Sequence, residues 1–324
     1  MTKRQVLLIF LLFCFTSCGG NNETSSHEHT TWAEKLGFQK GERVLILHAD
    51  DMGMVQEAND ATIFLLENEF IQSASAMPAC PAYEEAIQWA IENPQYDVGM
   101  HLTLTSEWRR YRWGPVADPS EVPGLVDPDG YLWPRVPDVV KNATPQEIET
   151  ELRAQIDKTL EMGFQPTHMD THMGTVFGSP EFTKVYLDLA EEYNIPAMVI
   201  DLSNSDLVDE YREAGYPLTD KLLQMIDEYS LPKLDYFGSV PKADSYEELQ
   251  EKFFEQIRSL EPGLTEIIFH PQYATEFSKT ISGQWQQRAW EVELFADPVV
   301  QEFLRDEGLV FTNWREIMER FERI

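Results

Sequence analysis

Histidine and aspartate together can hold a divalent cation and move protons, and this sequence gathers them into four short segments. The first is His48-Ala49-Asp50-Asp51-Met52-Gly53. Two adjacent carboxylates are costly to ionise side by side unless a positive charge holds them. A divalent metal would, with one aspartate as ligand and its neighbour free as a base; an ordinary Asp/Gly surface turn is the alternative. The second is Gly99-Met100-His101-Leu102-Thr103-Leu104-Thr105, where His101 interrupts an apolar run as a core residue or a ligand. The third is His168-Met169-Asp170-Thr171-His172. In extended chain, residues two apart point the same way, so His168, Asp170 and His172 share a face. That face can supply a metal ligand and a carboxylate to orient it. The fourth, Ile267-Ile268-Phe269-His270-Pro271, ends an apolar strand in a histidine placed to act as a general acid.

The elements that must position these residues follow one rhythm from Trp32 onward. Strands are expected at Val44–Ala49, Ser73–Met77, Val98–Leu104, Pro166–Asp170, Pro196–Ile200, Leu234–Phe237, Glu266–His270 and Leu309–Phe311. Between them the pattern predicts helices over 56–68 and Tyr83–Glu92. Further helices are predicted from the Thr144-Pro145-Gln146-Glu147 capping box to about Met162, and from Ser179-Pro180 to about Tyr193. The rest cover 218–229, a second capping box at Ser245 to about Leu260, and 283–306 with a break at Asp297-Pro298; Asn313 caps a final helix. Alternating strands and helices imply parallel pairing with right-handed crossovers. Eight repeats predict an irregular (β/α) TIM-like barrel in a single α/β domain, with a doubly wound open sheet as the alternative. His48, His101, His168, His172 and His270 each fall at or just past the carboxyl end of an expected strand, the face on which such barrels place their active sites. Residues 106–143 break the rhythm. They carry Trp108, Arg109, Arg110, Tyr111, Arg112, Trp113 and Trp133, and overhang the expected site as the loop after the third strand. Aromatic faces there could pack on sugar rings and arginines could bind an acidic group, or the loop could pack on the barrel.

The chain has 324 residues, with 25 Lys and Arg against 56 Asp and Glu, a net charge of −31. That charge repels phosphate backbones and argues against nucleic acid, and against docking on anionic lipid through a basic patch. Cys14 and Cys18 lie near the start and Cys80 stands alone in the body, so no intramolecular disulfide or cysteine-rich zinc site is available there. Residues 1–18 read as an export signal: Lys3 and Arg4, an apolar run from Val6 to Phe15 too short to span a bilayer, then Phe15-Thr16-Ser17-Cys18. Small residues before a cysteine resemble a bacterial lipoprotein signal, with Cys18 as the lipidated residue and Phe15 in place of the usual Leu; an ordinary secretory signal is the alternative. The expected organisation is a signal over 1–18, a polar tether over 19–38 that includes His27 and His29, and a barrel over 39–324.

Taken together and in order, HADDMG, GMHLTLT, HMDTHMGTVF and FHPQY resemble the YdjC-type carbohydrate deacetylases, also called the ChbG/HpnK family, over about residues 42–312. The resemblance implies an irregular (β/α) barrel and metal-dependent removal of N-acetyl groups from sugars or oligosaccharides. It implies one divalent metal, Zn2+ or Mg2+, held by Asp51, His101 and His172. Asp50 would be the base acting on water and His270 the acid for the leaving amine. Asp170, His168 and His48 would support them from behind, and Trp108, Arg109, Arg112 and Trp113 are candidate substrate contacts. His48 replaces the usual Asn, and Met173 and Gly174 replace further histidines of the third motif, with Val176 and Phe177 beyond, so the outer pocket departs from the family's. With the export signal, the expected setting is the bacterial cell envelope. Other metal-dependent chemistry on sugars, or a non-catalytic glycan-binding lipoprotein, are the competing functions.

Overall fold

Val44 to Met52 is buried along its whole length, on both faces. A strand covered on both sides reads as a continuous apolar run, and this is the centre of a parallel sheet. The computed structural model describes residues 30–213 and 218–324. The strands are β1 (Arg43–Met52), β2 (Ser73–Ala76), β3 (Val98–Leu102), β4 (Met169–Thr171), β5 (Tyr236–Ser239), β6 (Gly263–Phe269) and β7 (Val310–Phe311). All pair in parallel, in the order β4-β3-β2-β1-β6-β5, with β7 on β1. The strand expected over Pro196–Ile200 does not form as a ladder. Pro196 has no N–H to give, and pairing thins to two parallel bridges, Met169–Ala197 and Ile200–Leu234. Those bridges carry the hydrogen bonding from β4 around to the approach to β5, so the sheet curls into an irregular barrel within a single α/β domain.

Helix starts follow their side chains. Thr144 and Glu147 close a capping box on Pro145–Glu161, and Ser179 caps Pro180–Tyr193. Ser245 caps Tyr246–Arg258, but the return bond to Glu248 comes from the Asp244 amide rather than from Ser245 itself. Asp297 ends Trp285–Ala296 and caps Pro298–Asp306, the expected break. The helices Ser205–Glu213 and Glu276–Ile281 are not foreseen from the sequence.

The folded body starts earlier than residue 39. Thr31 caps a short helix, Trp32–Lys35, whose first two amides donate to Asp235 at 2.7 and 3.1 Å. Trp32, Ala33, Leu36 and Phe38 pack with Val44, Leu264, Trp314 and Ile317 beneath the amino-terminal ends of β1 and β6. Residues 31–38 therefore belong to the barrel and not to the tether, because their apolar side chains close its lower end. The signal segment, Cys14, Cys18, His27 and His29 lie outside the described residues. Among the described residues, no helix is long and apolar enough to cross a membrane.

Candidate metal centre and active site

Neighbouring residues on a regular strand face opposite ways, which would send Asp50 and Asp51 to opposite sides of β1. The register of β1 against β2 slips between Ala49 and Met52. At the same place Asp51 adopts φ +66°, the left-handed region that Asp and Asn tolerate best among residues with a side chain. The slip turns both carboxylates toward one centre. Asp51 Oδ1 lies 3.4 Å from His101 Nε2 and 3.2 Å from His172 Nδ1, and those two nitrogens are 3.2 Å apart. Asp50 Oδ2 lies 4.0 Å from His101 Nε2 and 3.7 Å from His270 Nε2. His101 comes from β3, His172 from just past β4 and His270 from just past β6.

Each imidazole is fixed by its other nitrogen. Asp170 Oδ1 is 2.6 Å from His101 Nδ1, and Glu107 Oε2 is 3.0 Å from His172 Nε2. Arg288 Nη2 donates to Asp51 Oδ2 at 2.6 Å. Among the described residues, Asp51 Oδ1 is left buried with no hydrogen-bond partner between the two ring nitrogens. An orphaned acceptor facing two imidazoles whose far nitrogens are held by carboxylates is the donor set of a divalent cation site. Burial works to raise the Asp51 carboxyl, but Arg288 and the two histidines hold it well below the usual range. Burial works against the His172 cation, yet Glu107 and Asp51 push its pKa up to about 9. His101 is likewise raised, against burial, by Asp170 and Asp50. A bound cation favours the neutral imidazoles instead.

Below this layer a polar network fills the barrel. Asp170 Oδ2 accepts from Ser75 at 2.7 Å and lies 3.1 Å from His48 Nε2, which is 3.3 Å from Asp50 Oδ1. His48 Nδ1 meets Ser73 Oγ at 3.0 Å, and Ser73 donates to Asp97 at 2.6 Å. His48 and Asp170 thus brace Asp50 and His101 from behind. His48 sits inside β1 rather than at its end, because the strand continues through the two aspartates to Met52. His168 precedes β4 and touches none of the three candidate ligands. Its ring stacks on Trp314 at 5.3 Å, its Nδ1 meets Thr167, and a Cβ on Gly99 would come within 2.5 Å of it. It is a core histidine, which corrects its expected place at the carboxyl-end site. Two other groupings, His48–His168–Asp170 and Asp50–His101–Asp170, bring ligand atoms within 4.8 Å of one another. Both use Asp170, whose oxygens already serve His101 and Ser75.

A YdjC-like protein family model matches residues 44–306. The chain belongs to the YdjC-like family. A carbohydrate deacetylase of Thermoanaerobacter pseudethanolicus is 28% identical over 272 residues, 84% of this chain and 98% of that protein. One from Thermus thermophilus is 28% identical over 291 residues, 88% of this chain and 97% of its own. A crystal structure from Enterococcus faecalis V583, named as a candidate cellobiose-phosphate cleavage protein, superposes with a TM-score of 0.69 at 26% identity, covering 85% of this chain and 99% of that one.

Around this YdjC-like centre the structure sorts the expected substrate contacts. Arg109 is exposed, and Trp108 lies under the Arg288 guanidinium at 5.1 Å. Arg112 and Trp113 turn inward and brace the loop. Arg112 pairs with Asp127 at 2.7 Å and donates to the Ser106 carbonyl, and Trp113 Nε1 donates to Thr105 O at 2.8 Å while its ring packs on His172. Neither is a surface offered to a sugar, because the loop's own backbone carbonyls need their donors. Sequence reasoning missed Glu107, Arg288 and Glu291, whose Oε2 accepts the His270 amide at 2.7 Å. A signal for the last two existed. Arg288, Glu291, Val292 and Phe295 fall at i, i+3, i+4 and i+7, the buried stripe of their helix.

Proposed function

We propose that this protein is a metal-dependent carbohydrate deacetylase that releases acetate from N-acetylated amino sugars or oligosaccharides. The observation that carries it is the meeting of Asp51, His101 and His172 at 3.2–3.4 Å with Asp50 and His270 at their side. The carbohydrate deacetylases among its relatives support the substrate class. A divalent cation held by Asp51, His101 and His172 would polarise the amide carbonyl and acidify water. Two nitrogen donors and one carboxylate suit Zn2+ better than Mg2+, which prefers oxygen and retained water.

The chain's own groups then move the protons. Asp50, 4% exposed and with Oδ2 facing His101 Nε2 and His270 Nε2, takes a proton from water as the oxygen adds to the amide carbon. His48, 3.3 Å behind its Oδ1, keeps that carboxylate facing the centre, and Asp170 orients His48 and His101. Collapse of the adduct breaks the C–N bond, and His270 supplies the proton that lets the amine leave. His270 suits the task because its side chain is 34% exposed, at the rim, while its amide is pinned to Glu291. Acetate and the free amino sugar are the products.

We infer further that the protein is exported and lipid-anchored through Cys18 at the cell envelope, a reading supported by the pattern of residues 1–18. The enzymatic reading is tested by stripping the metal, restoring Zn2+ or Mg2+ separately, and measuring acetate release from a panel of N-acetylated oligosaccharides. Metal-dependent release is expected. Tight binding of one metal with no acetate from any member of the panel would overturn it.

A further inference from the structure

A line of buried polar groups runs down the barrel from the metal centre to the amino-terminal ends of the strands. Asp97, 2% exposed, lies just before β3, at the end of the sheet away from the metal. Its Oδ2 accepts the Arg315 amide at 2.8 Å, from the last helix, Trp314–Phe321. Its Oδ1 accepts from Ser73 Oγ at 2.6 Å, and Ser73 Oγ lies 3.0 Å from His48 Nδ1. On the other side of the ring, His48 Nε2 is 3.1 Å from both Asp170 Oδ2 and Ser75 Oγ, and 3.3 Å from Asp50 Oδ1.

Counting hydrogens decides the state of that ring. A hydroxyl has one hydrogen to give. Ser73 gives its hydrogen to Asp97, and Ser75 gives its hydrogen to Asp170 at 2.7 Å. Toward His48 both serine oxygens therefore accept, as do the carboxylates of Asp50 and Asp170. Each ring nitrogen faces acceptors, so each carries a hydrogen. Glu266 on β6, whose Oε2 accepts from Trp314 Nε1 at 2.7 Å, adds a further acidic group to the same interior. His168 stands edge-on to His48 at 5.0 Å, and burial and then His48 hold its pKa well below the usual range, so it brings no second charge. Burial opposes a charged His48, but Glu266, Asp170 and Asp50 outweigh it.

We propose that Asp97 and Ser73 are positioning residues for the reaction, holding His48 as a buried imidazolium directly behind Asp50. The relay fixes a proton and passes none on. Its cation holds Asp50 Oδ1 and leaves Oδ2 to meet water at the centre. His48, Ser73 and Ser75 are fully buried, so solvent does not compete for these bonds. A ring protonated at both nitrogens has no lone pair for a metal, so His48, His168 and Asp170 do not form a second cation site. The assignment rests on the deacetylase reading for the reaction it serves, though not for the charge on the ring.

The test uses the full chain loaded with Zn2+ and labelled with 15N in its histidines. NMR reads the two ring nitrogens of His48, identified by their loss in His48→Asn. In the wild type both should stay protonated from about pH 6 to about pH 9, across the range where an ordinary histidine has lost its charge. Asp97→Asn and Ser73→Ala should each bring the ring's titration into that range. Each should also lower kcat for acetate release about 10–100-fold, as loss of an orienting partner does, at unchanged KM and metal content. Ser73→Ala removes only a hydroxyl and carries the test alone if Asp97→Asn does not fold. A bare ring nitrogen on His48 in the wild type at neutral pH overturns the proposal. So do variants that show a smaller folded fraction but keep the wild-type ring signals and kcat per folded molecule, the mark of a purely structural role. No acetate from the wild type on any N-acetylated oligosaccharide overturns the deacetylase reading, and the ring spectra of the wild type and the two variants then decide the relay by themselves.

Discussion

Arg288 gives one nitrogen to Asp51 and keeps Nε and Nη1 inside the fold with no hydrogen-bond partner among the described residues. Its chief contribution is a positive charge where Asp51 would otherwise be a bare buried anion. Arg288→Met should destabilise the metal-free protein by about 3–5 kcal/mol, the usual cost of removing one member of a buried pair, and by less once a cation restores the missing charge. Urea unfolding with and without Zn2+ measures both; equal stability of the two metal-free proteins would count against this role. Asp50→Asn keeps the shape and removes the base, so kcat should fall about 10²–10⁴-fold with metal content unchanged. A parallel loss of metal would make Asp50 a ligand. The sequence singled out Asp50, Asp51, His101, His172 and His270 by type and expected strand-end position, and the structure brings them together; their separate roles are what the family resemblance implies. The stripe that buries Arg288 could be read, but its partner could not, because nothing local relates it to a residue 237 positions away. His168 misled for the opposite reason: its spacing from Asp170 is right, but the strand begins one residue after it.

At the level of elements, the helix Pro145–Glu161 ties the overhanging loop to the barrel. Glu151 accepts the Val116 and Ala117 amides at 2.8 and 2.9 Å, while Gln155 bonds both the amide and the carbonyl of Thr103 beyond β3. Burial pushes the Glu151 carboxyl up to about 7, against these donors. Below about pH 4.5 the group is protonated in both folded and unfolded chains. Between there and 7 the folded state binds more protons, so its contribution to stability is lost as pH rises. The stability of the wild type relative to Glu151→Gln should therefore drop by about 1–3 kcal/mol from pH 5 to pH 8, read from urea unfolding at each pH. A flat difference would show that the carboxyl is ionised throughout. The sequence marked this helix by its capping box but hid its inward face, since Glu and Gln at 151 and 155 look like a solvated stripe. The alternation of strand and helix likewise showed the barrel. The thinned pairing at 196–200 and the inclusion of residues 31–38 were hidden, because both depend on contacts with distant residues such as Leu234 and Asp235.

For the whole molecule, the anchoring through Cys18 proposed above can be tested directly. Cys18→Ser in the full chain should move the protein from the detergent phase to the aqueous phase on temperature-driven partitioning. Aqueous partitioning of the wild type would favour an ordinary secretory signal. The depth of the metal centre has a consequence of its own. Asp51, His101 and His172 are 0–4% exposed, with Trp113 and Glu107 packed on His172. A cation held there would exchange slowly, because its three ligands are buried and the loop after β3 packs on one of them. Chelators will strip the folded protein slowly and partial unfolding will release the ion quickly. A metal recovered with the protein would then reflect the ions present where the chain folded rather than those in the buffer that later holds it.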